Sequence, residues 1–173
     1  MTKIRNFKDS LALGEMGEEI ILDYLQKSPT IQRIIDVRDE KLYQKMDVDL
    51  VVVTKDEQEL KVEIKTDSYK SGNIFYEWTS AVETASVGCM EKTQADYLFY
   101  YFINLQTMYI FDMAAYRDWF NENKEMFDFL GYQKRVKNSQ WNGGTYETLG
   151  YAFPITILDN LNPKWIRKVY VHA

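Results

Sequence analysis

The chain has 173 residues, 46% of them hydrophobic and 15% aromatic, which excludes a disordered chain and suffices for one domain with a real core. A net charge of −5 argues against a protein whose affinity rests on a broad basic face for nucleic acid, although a cation held among carboxylates restores local positive potential. One cysteine, Cys89, and one histidine, His172, exclude an intrachain disulfide and a Cys/His zinc centre, and leave carboxylates, lysine, tyrosine or an oxygen-held metal for any chemistry.

The opening residues MTKIRNFKDS carry charges with no apolar run behind them, so no signal peptide is expected. Residues 9–27 have helical spacing, with Leu13, Met16, Ile20, Ile21, Tyr24 and Leu25 on one broad stripe, Asp9 or Ser10 as a cap and Pro29 as a stop. Gly14 and Gly17 inside that helix point to close backbone packing or to a later start. Residues 31–37 form a weak strand and 48–54 a strong one. After the polar turn KDEQE, residues 60–66 complete a hairpin, and 73–80 form a further strand. Residues 81–95 carry no regular pattern. Two strands are expected at 95–105 and 107–113, then a helix at 114–130 with Tyr116, Trp119, Phe120, Met126 and Phe127 on its apolar stripe. The tail holds the polar loop NSQWNGG, a strand at 150–158 and a short last piece around 164–171. The apolar run at 97–105 is half of the roughly 20 residues a membrane span needs, so it reads as a buried strand in a cytoplasmic protein with no membrane partner. The expected fold class is α/β: one domain over 1–173, a mixed central sheet flanked by helices, a core over about 9–130 and a β-containing extension over 131–173.

Two stretches break the apolar pattern. In QKMDVDLVVV, Asp47 and Asp49 enter a strand whose faces are otherwise apolar, where an unpaired carboxylate is costly. In KVEIKTD, Lys61, Glu63 and Lys65 share one face with Val62 and Ile64 behind them. If the two strands are neighbours, Asp49 and Glu63 reach one divalent ion, the Ile64 backbone carbonyl adds an oxygen, and Lys65 stands beside it to orient or help deprotonate a water or to neutralise a phosphate. The alternative is a solvated strand face with cross-strand ion pairs contributing at most ~1 kcal/mol.

Asp49 followed by a hairpin and the triplet Glu63-Ile64-Lys65 resembles the PD-(D/E)xK nuclease superfamily, with Val48 where the family name has proline. The likeness covers roughly residues 10–112. It implies a restriction-endonuclease-like three-layer core, with metal-dependent endonuclease or other phosphodiester-hydrolase activity on DNA. Mg²⁺ would be the cofactor, with Mn²⁺ as substitute. A homodimer is one arrangement of this fold, and small phage or mobile-element nucleases, resolvases and restriction enzymes share its size. Members often carry a further acid on the preceding helix, which here maps to Glu18 in GEMGE, with Glu15 and Glu19 as rivals. Asp49, Glu63 and Glu18 would then hold metal together with the Ile64 carbonyl, and Lys65 would assist the attacking water.

Other candidates carry plainer alternatives. Asp47 is a turn residue or an accessory acid. Glu77 adds to the acidic site or pairs with a cation. Lys92 and Thr93 touch phosphate or lie on the surface. Tyr69, Trp78 and Trp141 stack on bases or join the core, and Cys89 is structural. The second functional reading is a catalytically inactive module of the same fold that binds nucleic acid or a protein.

Overall fold

The computed structural model describes residues 7–140 and 144–171, with side chains from Leu11 onward. Helix α1 spans Phe7–Gln26, so Asp9 and Ser10 lie inside its first turns rather than capping it. Strand β1 (Ile31–Asp36) pairs antiparallel with β2 (Leu50–Thr54), with the short helix α2 (Lys41–Met46) between them. Strand β2 turns back into β3 (Glu59–Asp67) in the expected hairpin, with Leu50 opposite Val62 and Val51 opposite Lys61.

The chain then leaves this sheet. Strand β4 (Asn73–Ala81), expected beside the hairpin in a single central sheet, instead founds a second one. A 3-10 turn, the two-residue β5 (Ser86–Val87) and the one-turn α3 (Cys89–Lys92) fill the stretch that showed no pattern. Strand β6 (Tyr97–Phe102) returns to lie parallel to β3, and β7 (Thr107–Asp112) pairs antiparallel with β6. Helix α4 (Met113–Phe129) follows directly, its N-cap Asp112 accepting from the Ala115 N–H at 3.0 Å.

The tail is woven into both sheets rather than appended. Strand β8 (Gln133–Ser139) pairs with β9 (Thr145–Pro154), and β9 pairs with β4. Strand β10 (Ile166–Tyr170) closes the first sheet against β7. The strand expected at 150–158 ends at Pro154, and Thr156–Leu161 form helix α5 because Ile155 and Leu158 bury one helical face. The resulting orders are β1-β2-β3-β6-β7-β10 and β5-β4-β9-β8. No helix among the described residues is long and apolar enough to cross a membrane.

Alternation in β3 sets what each face meets. Val62 and Ile64 face α1 with Ile21, Leu25, Phe99 and Tyr101. Gly17 lets the helix come this close: a Cβ there would stand 1.8 Å from Thr66 Oγ1. Gly14 meets nothing within 4 Å, so only one of the two helix glycines serves packing. The opposite face of the large sheet meets α4 and the small sheet in an aromatic core, where Tyr76 and Phe120 stack at 3.6 Å and Phe127 and Phe153 at 4.8 Å.

Candidate active site

Glu63 and Lys65 leave β3 on the face opposite α1, in register with Leu98 and Tyr100 of β6. The surrounding strands are apolar, so Glu63 is only 4% exposed. Lys65 Nζ meets Glu63 Oε1 at 2.9 Å. Asp49 sits where β2 begins. Its backbone N–H donates to the Val62 carbonyl at 2.9 Å, and its Oδ2 accepts the Ile64 N–H at 2.7 Å. Its carboxyl lies close enough to Glu63 for each to influence the other's ionisation. The sequence expectation that these three side chains converge holds in the structure.

The direction of the Ile64 carbonyl follows from the strand geometry. In a strand, the N–H and C=O of one residue leave by the same edge. The Ile64 N–H points to the edge where β2 has ended and the Asp49 side chain takes over. Its carbonyl therefore faces the same gap.

The electrostatics are those of acids taken out of water. Burial pushes the Glu63 carboxyl up to about 7, opposed by the Lys65 ammonium and reinforced by the Asp49 charge. Burial also raises Asp49, against the Ile64 N–H, Lys65 and Arg38, which favour its ionised form. Burial works against the Lys65 charge, but its acidic neighbours, Glu63 at 2.9 Å and Glu77, favour it and hold the ammonium above its ordinary range.

Glu18 stands apart from this cluster. Helix α1 covers the face of β3 that carries Val62 and Ile64, and Glu18 is ion-paired there with Arg38, which also binds Asp36. Arg38 lies close enough to Asp49 to lower its pKa, so Glu18 connects with the cluster through a cation. Among the described residues, no three Asp, Glu, Cys or His side chains gather as a metal-binding group. Glu15 and Glu19 appear in no described side-chain ion pair.

The remaining candidates divide. Asp47 is the turn residue: it ends α2 in the left-handed region at φ 48, and its carboxylate binds Lys92 Nζ at 2.8 Å. Lys92 is thereby paired, and Thr93 Oγ1 donates to the Asp47 carbonyl at 2.5 Å. Glu77 accepts the Cys89 N–H at 3.1 Å. Trp78 packs on the aromatic core beside Phe120 at 6.0 Å, whereas Tyr69 is 53% exposed. Trp141 lies outside the described residues. Cys89 is buried and its thiol is pushed up to about 12 by burial, so it stays a neutral packing group.

Lys65 also lines a cleft of about 740 Å³ between the end of β3 and the outer face of the small sheet. Phe75, Glu77, Tyr146, Thr148, Lys134 and Asn138 line it from that sheet. Sequence reasoning had not singled out Arg38, Phe75, Lys134 or Tyr146. The only signal for the last two was a polar strand, KRVKNS, alternating against TYETLGYAF.

Comparison with protein-family models, with curated proteins and with solved structures finds no match to this chain.

Proposed function

We propose that the chain is a metal-dependent deoxyribonuclease with a restriction-endonuclease-like core, hydrolysing phosphodiester bonds in DNA. The observation that carries this reading is the meeting of Asp49, Glu63 and Lys65, two carboxyls close enough for each to influence the other and an ammonium 2.9 Å from one of them, with Lys65 also lining a cleft. Further support comes from the order of elements. A helix precedes a three-strand antiparallel meander with Asp49 at the entry to its second strand and Glu63 on its third, and a later strand runs parallel to the third. Two carboxylates and a backbone carbonyl suit a hard cation that keeps several of its waters, as Mg²⁺ does, with Mn²⁺ as substitute. Asp49, Glu63 and the Ile64 carbonyl would hold it. Bound there, the cation would supply Lewis-acid charge and a more acidic water.

The chain's own groups have defined parts. The Ile64 N–H fixes the Asp49 carboxylate and Lys65 fixes Glu63. Lys65 enters as an ammonium, because its surroundings favour the charge. It therefore serves as a cation toward the phosphate and the departing oxygen rather than as a general base. Glu18, tied to Arg38, orients the Asp49 side of the site rather than contacting the cation.

A second reading, a non-catalytic module of the same fold, draws support from the way Glu63 and Lys65 satisfy each other and from the absence of a third converging acid among the described residues. The discriminating experiment offers supercoiled, linear duplex, single-stranded and branched DNA with Mg²⁺, Mn²⁺ or EDTA. Metal-dependent cutting is expected, falling at least about a hundredfold in Glu63→Ala and Lys65→Ala. No cutting, or cutting unchanged in both variants, contradicts the nuclease reading.

A further inference from the structure

The small sheet turns two different faces outward and inward. Its inner face, with Tyr76, Tyr151 and Phe153, is fully buried in the aromatic core. Its outer face carries Phe75 and Tyr146, half-buried, and forms the floor of the cleft that Lys65 also lines. Gly150 shapes that floor. A Cβ on Gly150 would lie 2.4 Å from Cζ of Phe75, so the Phe75 ring lies across the bare backbone of its neighbouring strand. An aromatic ring held against a sheet in this way presents one broad face to whatever enters.

We propose that this cleft binds unpaired nucleotides, so that the substrate of the nuclease site is DNA with a single-stranded segment next to the cut phosphate. The inference rests on the nuclease reading for its placement beside Lys65. Three observations carry it. The volume, about 740 Å³, falls within the roughly 300–1,000 Å³ of sites that enclose one small molecule, which suits splayed nucleotides and not a B-form duplex. The charge on its walls is nearly balanced: Lys65, Lys134 and Arg135 stand against Asp67 and Glu77. A duplex is bound chiefly through many phosphate contacts, which this lining and a net charge of −5 do not supply. Stacking of bases on aromatic rings depends less on such an excess, and Phe75 and Tyr146 offer it, with Lys65, Lys134 and Arg135 on the same lining for the backbone.

The test reads binding, not cleavage. Fluorescence anisotropy follows a labelled oligo-dT strand and a blunt duplex of equal length, in EDTA and again in Ca²⁺. The single strand is expected to bind at least about tenfold tighter than the duplex, and Tyr146→Ala and Phe75→Leu to weaken it about tenfold each, with unfolding temperature and circular dichroism confirming that each variant is folded. Equal or tighter duplex binding overturns the proposal. So does unchanged single-strand binding in folded Tyr146→Ala, or no binding to either strand form. A chain that binds the single strand through Tyr146 yet cuts nothing keeps the cleft and loses the hydrolase, so the two failures are distinguishable.

Discussion

Two carboxylate–cation pairs, one in each sheet, behave oppositely. Glu63 and Lys65 meet at 2.9 Å with the carboxylate 5% exposed, inside the large sheet. Arg135 and Glu147 meet at 3.2 Å with side chains 61% and 40% exposed, across the β8–β9 edge of the small sheet. The chemistry of the partners is similar, and burial makes the difference. In the first pair, loss of water raises the acid to about 7 and ties its charge to its neighbours. In the second, water screens both charges, and the pair guards a sheet edge against further strand pairing. A buried acid that no salt bridge fully compensates is where a cation or a phosphate has something to gain, which is why chemistry is proposed at β3 and recognition on the small sheet.

The sharpest way to break this comparison is through pH. A carboxyl whose folded pKa lies above its unfolded value of 4.5 binds its proton more tightly when folded. Its contribution to stability is therefore complete below the unfolded value and is lost as pH rises through about 7. The difference between the two values amounts to about 3 kcal/mol by pH 8. Asp49 shifts in the same direction and adds to the trend. Glu63→Gln should flatten stability between pH 5 and 8, as followed by chemical denaturation, and should leave the variant more stable than the parent at pH 8. A flat parent curve would place Glu63 in water, and a rising one would mean that Lys65 holds it ionised; either would contradict the buried-acid reading.

The smallest effect belongs to the exposed pair. Arg135→Ala should change stability by no more than ~0.5 kcal/mol in the same denaturation series. A loss of about 2 kcal/mol or more, on the scale of a buried charge interaction, would remove the distinction between the sheets.

What was legible in the sequence follows the same division. Asp49 and Glu63 stood out because an acid in an apolar strand is an anomaly, and the β2–β3 hairpin around them followed from its turn. The small sheet was hidden for the converse reason. Strand β8 reads QKRVKNS, with an exposed edge and a half-open face, so no apolar alternation marks it. Strand β4 was recognised as a strand, but nothing local says which sheet receives it. That choice is made by Tyr76 and Phe120, far apart along the chain and stacked at 3.6 Å. Glu18 shows the limit of motif reasoning: the spacing in GEMGE is right, yet α1 lies over the other face of β3 and Arg38 takes the acid.

The most direct measurement is Mn²⁺ binding by calorimetry at pH 8, on the full chain and on Asp49→Asn, Glu63→Gln and Glu18→Gln. The expected result is binding in the parent, at least about tenfold weaker in Asp49→Asn and Glu63→Gln, and largely retained in Glu18→Gln. Parent binding that survives both Asp49→Asn and Glu63→Gln, or no binding at all, would contradict the claim that these two acids form the cation site.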